Sequence, residues 1–129
     1  MPQNKETGAE ASQYGLECGK KIIEAIGAKH IRAGSNECLL NGELLTVHCA
    51  RQKNDSIGVT YKTLERVAGV LGAFEQVDGS YIVRRMAKDQ YQRLMRETRS
   101  KGPSRNKVGI VKNAEFDSCP LVARIPAWN

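Results

Sequence analysis

The stretch that decides the fold is ECLLNGELLTVHCA, residues 37–50. It sets Asn41-Gly42 between two apolar runs. An Asn-Gly pair in that setting is the strongest short-range signal for a hairpin, because both residues tolerate the positive φ of a two-residue turn. The run after the turn is apolar on both parities, as a central strand buried on both faces requires. Upstream, residues 29–33 alternate weakly and Gly34-Ser35-Asn36 breaks the run. Residues 28–50 therefore read as three strands.

Working outward, Leu16, Ile22, Ile23 and Ile26 recur at helical spacing, with Ser12 as N-cap and Gly27 as stop, which predicts a helix over 13–26. Gly15 and Gly19 lie inside it, so close packing against a neighbour is expected there. Downstream, residues 51–56 form a polar loop. Tyr61, Leu64, Val67, Ala68 and Leu71 then describe one helical face, between Thr60 as N-cap and Gly72 as terminator. Residues 74–77 and 81–84 flank Asp78-Gly79-Ser80 as a second hairpin. A third helix is predicted over 88–98, with Tyr91, Leu94, Met95 and Thr98 inward. RSKGPSRNK, residues 99–107, reads as a basic linker, residues 108–112 as a short strand, and the tail with Pro120 and Pro126 as irregular. There is no internal repeat.

The expectation is one α/β (α+β) domain of order α-β-β-β-α-β-β-α, with a central mixed sheet flanked by helices. Its core covers residues 12–98. A disordered lead-in (1–11) precedes it, and the linker (99–107) and a C-terminal extension packing on or near the core (108–129) follow.

A chain of 129 residues, 40% hydrophobic and 26% charged, can bury one core without staples. The net charge of +6 favours acidic partners, nucleic acid first. That charge is one segment: residues 84–107 hold nine Lys/Arg against two Asp/Glu, and the rest of the chain sums to −1. A positive face carrying Arg84, Arg85, Arg99, Lys101, Arg105 and Lys107 is the functional reading, and a solvated helix with a basic loop the bland one. Arg51, Lys53 and Asn54, in a loop that follows a central strand, have donors for phosphate or base edges. Aromatics make up 5% of the chain, which argues against a broad base-stacking platform. The four cysteines include no CxxC pair and read as small thiols in a reducing compartment. A zinc site on Cys38, His48 and Cys49 is not expected, because adjacent residues of a strand point to opposite faces. With no run of about 18 apolar residues and no apolar leader segment, the chain is expected to be cytoplasmic and to make no membrane contact.

The order helix, three strands, helix, strand over residues 13–85 resembles the core of the PD-(D/E)XK, or restriction-endonuclease-like, family. NGELLTVHCAR resembles that family's third strand. The resemblance implies phosphodiester chemistry on Mg²⁺. One acid stands on the second strand, an acid-x-Lys on the third, and sometimes a Glu on the first helix. Here Thr46-Val47-His48 takes the tripeptide position. Asn36 and Glu37 are nearest on the second strand, and Glu17 and Glu24 are available on the helix. Threonine supplies no carboxylate. The expectation is therefore a domain that binds DNA or RNA without nuclease activity and without a cofactor. The first alternative is a Mg²⁺- or Mn²⁺-dependent nuclease with a displaced site on Glu17, Glu37 and His48, or on Glu37, Glu43 and His48, with Glu37 as the metal ligand. His48 is otherwise a hydrogen-bonded core residue. A homodimeric assembly protein is the other alternative.

Residues 59–85 also resemble the end of a winged-helix domain, in which Lys62, Glu65 and Arg66 would face a DNA groove and residues 74–84 would form the wing. The phosphate-cradling loops GxxxxGK[ST] and GxGxxG are both absent.

Overall fold

A computed structural model describes residues 5–31, 35–97 and 108–128. Helix α1 (Lys5–Ala25) leads into three strands, β1 (Lys29–His30), β2 (Glu37–Leu40) and β3 (Glu43–Ala50). They form an antiparallel meander, in which Leu40 pairs with Glu43 and Glu37 with Thr46. The turn between β2 and β3 holds Asn41 at φ 53° and Gly42 at φ 81°. Two successive positive φ angles are the two-residue hairpin turn that the Asn-Gly pair predicts.

From β3 the chain crosses over through β4 (Ser56–Thr60) and α2 (Tyr61–Arg66) to β5 (Gly69–Glu75), which pairs parallel to β3. A helix, three strands, a crossover and a parallel fourth strand are the order expected of a restriction-endonuclease-like core. The chain continues through β6 (Tyr81–Ala87), α3 (Lys88–Leu94), β7 (Arg96–Glu97), β8 (Val108–Lys112), a 3₁₀ turn (Asn113–Phe116) and β9 (Leu121–Ile125). The main sheet runs β1-β2-β3-β5-β6-β9, and a smaller one runs β4-β8-β7.

The result is one mixed α/β domain in three layers. On one face of the main sheet, Cys18, Ile22 and Ile23 of α1 pack on Cys38, Leu45, Val47, Leu71 and Val83. On the other, Ala50, Val70 and Met86 meet Leu64 of α2, Tyr91 of α3, Val59 and Val111 of the small sheet, and Phe116. The Tyr91 hydroxyl reaches across this layer to the Gly109 carbonyl at 2.8 Å.

Several expectations are corrected. Helix α1 begins at Lys5, so residues 5–11 are helical rather than a disordered lead-in. Gly19 does sit against a neighbour: a Cβ there would come within 2.6 Å of the Asn36 side chain, whereas Gly15 faces open space. The helix predicted to run to Leu71 stops at Arg66. Its N-cap is the expected one, Thr60 accepting from the Thr63 N–H at 3.2 Å. Beyond Arg66, Val67, Gly69, Val70 and Gly72 are poor helix formers, and apolar residues occupy both parities, so the segment becomes the doubly buried β5. A Cβ on Gly69 would stand 3.0 Å from the Met86 carbonyl, which keeps the strands in close register.

The winged-helix likeness fails for the same reason. Its recognition helix is six residues long, and its wing, β5 and β6, lies within the main sheet. The third helix ends at Leu94 instead of Thr98. The strand predicted over 108–112 is β8, in the small sheet, whereas the tail expected to be irregular contains β9, on the edge of the main sheet. The predicted linker 99–107 lies outside the described residues.

Candidate functional site

The two-residue turn fixes the register of β2 on β3, and this places Glu37 directly across from Thr46. Paired residues of an antiparallel ladder project to the same face, so Glu37, Thr46 and, two residues on, His48 share the face turned away from α1. Glu37 and Thr46 are both buried. The Thr46 hydroxyl and the His48 Nε2 lie 3.2 Å apart. Burial pushes His48 down to about 4, so the ring is neutral near pH 7.

Glu37 is held from two sides. Arg66, the last residue of α2, lays its guanidinium across the carboxylate, Nε donating to Oε1 at 3.2 Å and Nη2 to Oε2 at 3.0 Å. This is the two-point fork that arginine offers a carboxylate. Ser35 caps the other side, its Oγ accepting from the Glu37 backbone N–H at 3.1 Å. Arg66 Nη1 also donates to the Lys62 carbonyl at 3.3 Å, and 44% of the Arg66 side chain faces solvent.

The donor set does not fit a Mg²⁺ ion at the position the resemblance implies. Such an ion needs acidic oxygens, but the one carboxylate here is engaged by a resident cation and its cross-strand neighbour is a threonine. Among the described residues, no group of three or more His, Cys, Asp or Glu could hold a metal. The structure does not bring Glu17 into the row: it is exposed on α1, which packs on the opposite face of the sheet. Glu43 is an odd number of residues from Thr46. It forms an ion pair with Arg85 at 2.9 Å, on the α1 side of the sheet.

The expected nucleic-acid residues are dispersed. Arg51 lies five residues past Thr46, roughly 16 Å along the strand. Its guanidinium sits over the Tyr14 ring of α1 at 3.8 Å. Lys53 and Asn54 are exposed in the loop after β3, and Lys62 is exposed on α2. Arg84 and Arg85 are neighbours in β6 and point to opposite faces. Arg84 donates to the Cys119 carbonyl at 2.9 Å, and Arg85 turns to Glu43. One positive face beginning at Arg84 is therefore not what β6 presents. Arg99, Lys101, Arg105 and Lys107 lie outside the described residues. The nuclease-like reading of the sequence left Arg66 out of the site, and only the winged-helix likeness set it beside DNA. The signal that could have found it is the run VAGVLG, which ends α2 and returns Arg66 over the start of β3.

Comparison with known proteins finds no matching family model and no matching curated protein. Among solved structures, the chain is similar to Hjc, a Holliday junction resolvase from the archaeal hyperthermophile Archaeoglobus fulgidus. The identity is 10% and the TM-score 0.47, over 84% of this chain and 92% of that one. No helix among the described residues is long and apolar enough to cross a membrane.

Proposed function

We propose that the chain is a nucleic-acid-binding domain on a restriction-endonuclease-like core, in which an arginine closes the position where a nuclease would hold its metal. The observation that carries this reading is the fork of Arg66 on Glu37. With the carboxylate neutralised, the polar row Glu37–Thr46–His48 no longer calls for a divalent cation. The solvent-facing half of Arg66, with Lys62 one turn before it, is left to meet phosphate. Lys53 and Asn54 offer further donors at the far end of β3. The overall charge of +6 supports an acidic polymer as partner. Binding of this kind tracks the backbone and does not depend on stacked bases.

The test is fluorescence anisotropy with labelled duplex DNA, single-stranded DNA and RNA at two salt concentrations, with Mg²⁺ present and each probe checked afterwards on a gel. Binding that weakens steeply with salt and leaves the probe intact is expected. A cut probe would reinstate a metal-dependent nuclease, and no binding to any probe at low salt would remove nucleic acid as the partner.

A further inference from the structure

On the sheet face turned away from α1, the layer of α2, α3 and the small sheet packs on Ala50, Val70 and Met86 of β3, β5 and β6. The outer strands carry that face on into solvent. Lys29 pairs with Leu39, and the Ile31 N–H donates to the Glu37 carbonyl at 3.1 Å, which continues the ladder one residue past β1. Paired residues share a face, so Ile31 stands beside Glu37 and Lys29 beside Leu39. Across β3, Leu39 meets the half-buried Leu44. Six large apolar side chains are exposed among the described residues, and Leu16, Val77, Leu94 and Leu121 lie in four separate parts of the chain. The strand register brings the other two together. Ile31, 42% exposed, and Leu39, 37% exposed, are diagonal neighbours roughly 7 Å apart.

Cations rim this apolar strip. Arg66 lies over Glu37, Lys62 stands one turn before it on α2, and Lys29 flanks Leu39; all three are exposed. Glu65 is the only acid of α2. A singly exposed apolar residue needs no explanation, but an apolar strip set among cations fits a partner with an anionic backbone and an apolar interior. A second copy of this chain would set like charges against each other. Duplex DNA has the required chemistry. Stacking hides its apolar base faces, and Ile or Leu side chains reach them by entering and opening a base step.

We propose that Ile31 and Leu39 form a wedge that enters an opened base step of duplex DNA while Arg66, Lys62 and Lys29 hold the flanking phosphates. The proposal rests on the nucleic-acid reading above and names the form of nucleic acid preferred: a duplex that is already locally unstacked. Two aliphatic side chains suffice for one step, where a stacking platform would need several aromatic rings.

The experiment measures anisotropy of the full-length chain with two labelled DNA duplexes of one sequence, one perfect and one carrying a single unpaired nucleotide. The unpaired probe should bind at least about tenfold tighter, because it removes most of the cost of unstacking. A fluorescent base analogue beside the unpaired nucleotide should brighten on binding, as its neighbour leaves the stack. In the double variant Ile31→Ser with Leu39→Ser, the preference and the brightening should both disappear, while the salt slope on the perfect duplex is kept. Equal affinity of the wild type for the two duplexes would overturn the wedge and leave the nucleic-acid reading standing. No binding to either duplex, but salt-sensitive binding to single strands or RNA, would do the same; no binding to any probe would remove both. A preference that survives in the double variant would assign it to DNA flexibility and overturn the wedge. A dimer in light scattering that the double variant dissolves would give the strip to a second copy instead. The base analogue with the wild type decides the matter even if the double variant does not fold: no brightening overturns the proposal.

Discussion

The two faces of β3 are built on opposite principles. Toward α1 the strand presents Leu45, Val47 and Cys49, which join an apolar cluster with Ile22, Ile23 and Leu71. Toward α2 it presents Thr46, His48 and Ala50, and the first two continue a polar row that starts at Glu37. An apolar face gains from burial alone, whereas a buried polar group costs stability unless it is partnered. Each member of the row has its partner: Arg66 for Glu37, and Thr46 and His48 for each other. A core that could have been apolar throughout, but keeps a satisfied polar row, is one in which local stability has been exchanged for something else. That contrast is the basis for proposing that one face serves folding and the other binding.

The largest expected effect breaks the apolar face. Leu71→Ala should lower stability by about 2–5 kcal/mol in urea denaturation, because Leu71 is fully buried against α1. While the variant remains folded, its affinity for nucleic acid should not change. A smaller cost would mean that α1 packs more loosely than described.

Next comes pH. His48 titrates near 6.5 when unfolded and at about 4 in the fold, so the unfolded chain takes up the proton first. Stability attributable to His48 is full above 6.5 and is lost as pH falls toward 4, about 2–3 kcal/mol in all. Denaturation series from pH 8 to pH 4 should show this slope in the wild type and not in His48→Gln. An equal slope in both would place the ring in solvent.

Arg66→Ala should destabilise less than breaking a fully buried pair would, because solvent screens the exposed Arg66, yet measurably in urea denaturation, because Glu37 is left behind in the core. Double replacement Glu37→Gln with Arg66→Ala should cost less than the single Arg66→Ala. Smallest is Glu43→Ala: its ion pair with Arg85 is exposed on both sides and should contribute under about 1 kcal/mol.

How legible all this was in the sequence depended on distance along the chain. The Asn41-Gly42 turn is local chemistry, and with it the register of β2 on β3 follows by counting from the turn, which sets Glu37 opposite Thr46. The face shared by Thr46 and His48 follows from alternation. Residues 67–74 were not legible, since a short run of apolar residues fits a buried helix and a buried strand equally well. That ambiguity concealed the end of α2 and, with it, the return of Arg66 to Glu37. Strand β9 was obscured by the prolines that flank it, which mark its two ends and do not interrupt it. The hydrogen bond between Tyr14 and Tyr81 joins segments far apart in sequence, and no local pattern announces it.

The most direct test of the claim that the Arg66 side of the sheet meets phosphate is the salt dependence of binding. The logarithm of affinity for duplex DNA should be measured against the logarithm of salt concentration, for the wild type and for Arg66→Gln. The predicted result is a weaker complex whose slope is shallower by roughly 1, the signature of one lost phosphate contact. An unchanged slope and affinity would contradict the account and move the interface away from Arg66.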